Sequence, residues 1–117
     1  MIPKNLTKVV EDIKKGQEKK AIWFDIDGTI CDTETNKYTD SICIDEMIAL
    51  SNMLYDMGHT IVFVTARGST SGINWKELTE KELRKWGAKY HHLIMGIPKD
   101  LIVDDVALRP DEFLDVI

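Results

Sequence analysis

No apolar run in the 117 residues approaches the ~20 needed to cross a bilayer; the longest, such as Ile61-Val62-Phe63-Val64, are strand-sized. The N-terminus carries no apolar signal region, so a cytoplasmic location without a membrane partner is expected. Cysteine is scarce. Cys31 and Cys43 make neither a CxxC motif nor a disulfide framework, and both are expected to be reduced free thiols. No Cys joins the three histidines, His59, His91 and His92, at metal-ligand spacing, which leaves them structural. Internal repeats and low-complexity linkers are absent as well. What remains, 44% hydrophobic and 30% charged, is a chain long enough for one hydrophobic core and too short for several domains.

Charge is short on one side. The net value is −5, and six acids against one base fall between Asp100 and Ile117. The first twenty residues run the other way, with six Lys against Glu11, Asp12 and Glu18. That excess reads as the solvated face of a helix, and the acidic balance overall argues against a nucleic-acid partner.

Apolar periodicity predicts an alternating α/β order. Leu6, Val9, Val10 and Ile13 share one side of an N-terminal helix within residues 1–20, with Asn5 or Thr7 as its cap and Gly16 as its stop. Ala21 to Phe24 reads as a buried strand ending at Asp25. Residues 28–41 read as a hairpin excursion, and Ile44 to Met57 as a helix stopped by Gly58. Thr60 to Val64 is a second strand, Trp75 to Trp86 a charged helix, and His91 to Met95 a third strand. Leu101-Ile102-Val103 is expected as a fourth, with a short returning helix after Asp105. Strands alternating with helices imply right-handed crossovers and a mainly parallel sheet covered on both faces, a Rossmann-like three-layer sandwich in one domain over 1–117.

The polar residues fall where such a fold does chemistry. Asp25, Thr65 and the Asp104/Asp105 pair each follow directly on an apolar strand, and Lys99 precedes the last one. In a parallel sheet these ends share one edge, where open α/β folds bind ligands. The expectation is one crevice holding Asp25, Asp27, Thr65, Lys99, Asp104 and Asp105. Four carboxylates within a few ångströms repel; one unit pair at 4 Å costs about 4 kcal/mol at an effective dielectric of 20. Grouping them makes sense only with a cation, and oxygen ligands without His or Cys favour Mg²⁺ over Zn²⁺. Such an ion, with Lys99 and the Thr65 hydroxyl, would hold a phosphate.

Asp25-Ile26-Asp27-Gly28-Thr29 is the sharpest signal. With Val64-Thr65-Ala66-Arg67, Lys99 in Gly96-Ile97-Pro98-Lys99-Asp100, and Ile102-Val103-Asp104-Asp105, it resembles the four ordered motifs of the haloacid dehalogenase (HAD) superfamily of phosphatases and phosphotransferases. The resemblance spans residues 21–105. It implies a HAD-like fold and a Mg²⁺-dependent phosphomonoester hydrolase working through an aspartyl-phosphate. Asp25 would be the nucleophile and Asp27 the acid and base, with Asp27 helped by the crowded carboxylates to hold a proton. Thr65 and Lys99 would bind the phosphoryl group. Asp25, the Asp27 carbonyl, Asp104 and Asp105 would hold the metal, and Gly28, Thr29, Ala66 and Arg67 would line the substrate, with a structural salt bridge the equal alternative for Arg67.

Neither Thr29–Thr60 nor Thr65–Lys99 has room for the cap domain that many members insert, so the chain resembles a capless one. A small phosphorylated metabolite such as a sugar phosphate is the expected substrate, with the 28–41 hairpin and the 68–75 loop, or a neighbouring subunit of a homo-oligomer, as the cover. The alternatives are a macromolecular substrate, either a nucleic-acid 3′-end or a phosphoprotein, and a catalytically silent binding protein. A receiver domain has its acidic doublet after the first strand rather than the last. A dehalogenase acting on carbon would not need Asp27 or a metal.

Overall fold

Ala21-Ile22-Trp23-Phe24-Asp25, rich in β-branched and aromatic side chains, forms β1 (Ala21–Asp25) in a computed structural model that describes residues 4–34 and 37–117. It pairs in parallel with β4 (Thr60–Val64), Ala21 beside Thr60 and Asp25 beside Val64. On its other side β4 pairs in parallel with β5 (His92–Ile94), so the strand order is β1-β4-β5. Between β1 and β4 the chain makes a short antiparallel pair, β2 (Cys31–Asp32) with β3 (Ile42–Cys43), a single 3₁₀ turn over Tyr38–Asp40, and helix α2 (Asp45–Asp56). Residues 35 and 36 of the expected hairpin excursion lie outside the described residues. Helix α3 (Lys76–Lys85) connects β4 to β5, and α4 (Pro110–Val116) closes the chain.

Helices α1 (Lys4–Lys15) and α2 bury the apolar stripes that their sequences offer. Helix α1 buries Leu6, Val10 and Ile13, and α2 buries Met47, Ile48, Ser51 and Leu54. Asp45 and Glu46 in the first turn of α2 suit the positive end of its dipole. Asn5 lies inside α1 rather than at its cap, and its side-chain amide donates to the Asp105 carbonyl at 2.8 Å. The core joins Ile13 of α1, Phe24 of β1, Leu54 of α2, Ile61 and Phe63 of β4 and Leu83 of α3. Phe24 meets Phe63 and Phe113 edge-on, at 6.1 and 5.8 Å between ring centres.

Two histidines do the structural work expected of them. His59, fully buried, accepts the Lys20 amide on Nδ1 at 3.1 Å, so its Nε2 carries the proton and donates to the Ile13 carbonyl at 2.9 Å. His91 accepts the Ile61 amide and stacks on Tyr55.

The fourth strand is a correction. Leu101-Ile102-Val103 pairs with no strand, and the three side chains are 82%, 56% and 92% exposed. The backbone there is engaged otherwise. The Asp104 carboxylate takes the Val106 amide at 2.9 Å, and the Asp105 carbonyl is taken by Asn5. One edge of β1 is therefore free of a strand, and an apolar groove of about 850 Å³ runs between α1, β1 and residues 102–113. No described helix is long and apolar enough to cross a membrane.

Candidate active site

The C-terminal ends of β1 and β4 set the site. The β1–β4 ladder runs one residue on, with the Ile26 amide donating to the Val64 carbonyl. The chain then turns sharply: the Thr29, Ile30 and Cys31 amides all point at the Ile26 carbonyl, and Gly28 at φ +86° donates to the Cys31 carbonyl at 2.8 Å. That turn needs the left-handed region glycine enters freely. It presents Asp25 and Asp27 on either side of buried Ile26. Beyond β5, the Ile97 amide donates to the Thr65 carbonyl and carries the following loop back to the same edge.

Asp25, Asp27, Ala66, Arg67 and Lys99 line one crevice of about 250 Å³, with Thr33 and Tyr38 forming the wall from the hairpin side. Lys99 Nζ lies 2.9 Å from Asp25 Oδ2, both side chains about one-third exposed or less. Asp27 is held from three sides. Arg67 Nη2 donates to its Oδ1 at 2.8 Å and Nε to its Oδ2 at 3.0 Å, Thr33 donates to Oδ1 at 2.7 Å, and Thr65 donates to Oδ2 at 3.4 Å. Burial works to raise the Asp27 pKa, but the hydrogen bonds from Arg67 and Thr33 and the guanidinium charge outweigh it and hold the group below the usual carboxylate range. The expectation that crowded carboxylates keep Asp27 protonated is thereby reversed: its nearest charge is a cation.

Arg67 is the most deeply buried charge in the site, its side chain having no exposed surface. Burial opposes its charge, while the Asp27 and Glu82 carboxylates restore it, so the guanidinium stays protonated. The Tyr38 ring covers it with its centre 4.6 Å away, and Tyr38 in turn meets Trp75 edge-on. Three carboxylates, Asp25, Asp27 and Glu82, thus face two cations, Lys99 and Arg67.

The expected set is gathered in part. Thr65 is 2% exposed, and its hydroxyl is turned to Asp27 while accepting the Arg67 amide at 3.1 Å. Gly28, Thr29 and Asp104 border the apolar groove that opens beside Asp25 and Lys99. Asp104 and Asp105 stand on the exposed 101–106 segment, outside the crevice. Among the described residues no three His, Cys, Asp or Glu side chains gather in a metal-ligating arrangement. The donor set is all oxygen, which suits Mg²⁺, but the placement of Asp104 and Asp105 leaves it incomplete.

Thr33, Tyr38, Ser41, Thr79 and Glu82 belong to the site and were not singled out by motif. The one sequence signal is on α3, where Thr79, Glu82 and Leu83 at i, i+3, i+4 form its buried face. Cys31 is fully buried beside Asp27, and burial first, then the Asp27 charge, push its pKa up to about 11. Both cysteines are free thiols, as expected.

No protein-family model matches the chain, and no curated protein does. A crystal structure of an MCSG target from Vibrio cholerae is similar to it, with a TM-score of 0.71 and 28% identity over 82% of this chain and 87% of that one. The likeness covers the α/β core of a compact domain with a parallel three-stranded sheet and helices.

Proposed function

We propose that the protein is a Mg²⁺-dependent phosphomonoester hydrolase of the HAD type, capless, acting on a small phosphorylated metabolite such as a sugar phosphate. The observation that carries this reading is Lys99 at 2.9 Å from Asp25, at the end of a strand after which the next acid, Asp27, is fixed beside the same crevice. In the reaction, Asp25 attacks phosphorus, the bond to the leaving oxygen breaks with its electron pair passing to that oxygen, which takes a proton from solvent, and an aspartyl-phosphate forms. Lys99 offsets the charge of both Asp25 and the phosphoryl group. Water then attacks phosphorus, the bond to Asp25 breaks, and inorganic phosphate leaves. Asp27, held ionised by Arg67, is suited to take a proton from that water.

Of the oxygen donors that the resemblance implies, Asp25 and the Asp27 carbonyl are at the crevice and would hold Mg²⁺ there, while Asp104 and Asp105 stand outside it; the ion would supply charge neutralisation on the phosphoryl oxygens. The crevice of about 250 Å³ has room for a phosphoryl group and a small ester.

The test is phosphate release from a panel of small phosphomonoesters with Mg²⁺ and with EDTA, beside Asp25→Asn. Turnover that needs the metal and disappears in the variant supports the reading. Absence of turnover on every ester, with the protein folded, sinks it.

A further inference from the structure

Arginine carries five N–H donors in a rigid fork, so counting where they go decides what it can bind. In Arg67 all five are used. Nε–H and one Nη2–H form a fork on the Asp27 carboxylate, at 3.0 and 2.8 Å. The other Nη2–H reaches Ser41 Oγ at 3.3 Å. The two on Nη1 go to α3, to Thr79 Oγ1 at 3.1 Å and to the Glu82 carboxylate.

We infer that Arg67 is a positioning residue: braced from behind by Thr79 and Glu82, it fixes the orientation of the Asp27 carboxylate beside Asp25 and takes up no substrate itself. The inference rests on the reading of Asp27 as the group that works on the phosphoryl centre. Three observations carry it. No donor of Arg67 is left for a phosphate oxygen. Its face is closed by the Tyr38 ring. Its fork is bidentate on Asp27, which fixes the plane of the carboxylate as well as its distance. Thr65 and Thr33 complete the clamp at 3.4 and 2.7 Å. A side chain serving only to neutralise Glu82 would not need that fork.

Removing Arg67 alone leaves Asp27 and Glu82 buried without their partner, which risks the fold. Two variants limit this. Arg67→Lys keeps the charge and loses the fork; Arg67→Met with Glu82→Met removes the two most buried charges together and leaves only Asp27, whose side chain is 28% exposed to solvent. Each is compared with wild type for kcat and KM on p-nitrophenyl phosphate with Mg²⁺, in the native and the Asp27→Asn backgrounds, with circular dichroism as the check on folding.

The expected result is a loss in kcat of about 10²-fold with KM changed by less than about threefold, because a misplaced reacting group costs that much. In the Asp27→Asn background the same changes cost nothing further, since the residue they act through is gone. A large rise in KM with kcat kept would make Arg67 a substrate ligand and overturn the inference. So would losses that multiply with Asp27→Asn, or folded variants with wild-type kcat. Wild-type protein without turnover overturns the phosphatase reading and this inference with it, whereas an active wild type matched by Arg67→Lys overturns this inference alone.

Discussion

Lys99 Nζ and Asp25 Oδ2 lie 2.9 Å apart, joining the loop after β5 to the end of β1. The pair is partly open to solvent, so its worth to stability is small, about 0–1 kcal/mol. On the phosphatase reading proposed above its worth to chemistry is larger, because the ammonium lies where phosphoryl charge would accumulate. Lys99→Met is expected to lower turnover by about 10²-fold while shifting the urea midpoint little. Steady-state kinetics beside an unfolding curve check both halves of the statement.

The clamp on Asp27 makes a pH prediction. Its folded pKa lies below the unfolded value, so the stabilisation is complete above the unfolded pKa of about 3.9 and is lost as pH falls through the folded one. Stability of the wild type should therefore fall with acid below about pH 4 more steeply than that of Asp27→Asn, which has no proton to take up. Urea unfolding between neutral pH and pH 3 measures the two slopes; parallel slopes would refute the clamp.

Cys31 lies against the site and is not its nucleophile. With its pKa pushed up to about 11 and its side chain fully buried, it carries almost no thiolate at neutral pH. Iodoacetamide at pH 8 should leave it unmodified until the protein is unfolded. Cys43, partly exposed but hydrogen-bonded to Asp45 at 3.1 Å, should react first and slowly. Mass spectrometry after timed quenching separates the two.

Gly28 and Gly68 share a left-handed backbone, at φ +86° and +83°, and differ in their surroundings. A Cβ on Gly28 would meet nothing within 4 Å, whereas one on Gly68 would run into the Ile73 carbonyl. Gly28→Ala should cost the conformational penalty alone, about 1–2 kcal/mol. Gly68→Ala should cost more and should loosen the loop that carries Trp75. Thermal melts of the two variants give the comparison directly.

The strand at 60–64 was legible because a strand inside a parallel sheet is apolar along its length, and α2 because its apolar residues repeat at helical spacing. The strand at 21–25 was legible by its apolar run, although Phe24 alone of it is buried and Trp23 is 62% exposed. Leu101-Ile102-Val103 misled for a physical reason. Three apolar residues carry no period, and nothing local shows that Asp104 will turn its carboxylate onto the Val106 amide. Asp25 and Asp27 were legible as neighbours in sequence. Glu82 was hidden, since in a helix reading Lys-Glu-Leu-Thr-Glu-Lys-Glu-Leu-Arg-Lys a buried acid looks like one more solvated charge. Its partner Arg67 lies fifteen positions away, and only the crossover from β4 to α3 brings them together.

His59 ties the end of α1 to the start of β1 with one imidazole, through the Ile13 carbonyl and the Lys20 amide. Asn5 and Lys14 extend the same tie to the Asp105 and Val116 carbonyls at the far end of the chain. A polypeptide started at Ala21 would keep every motif residue and lose the helix that supplies Leu6, Val10 and Ile13 to the interior. It would also leave a buried imidazole without its acceptor. An excised version that keeps this tie and these buried residues therefore has its boundary before α1, outside the span of the motifs.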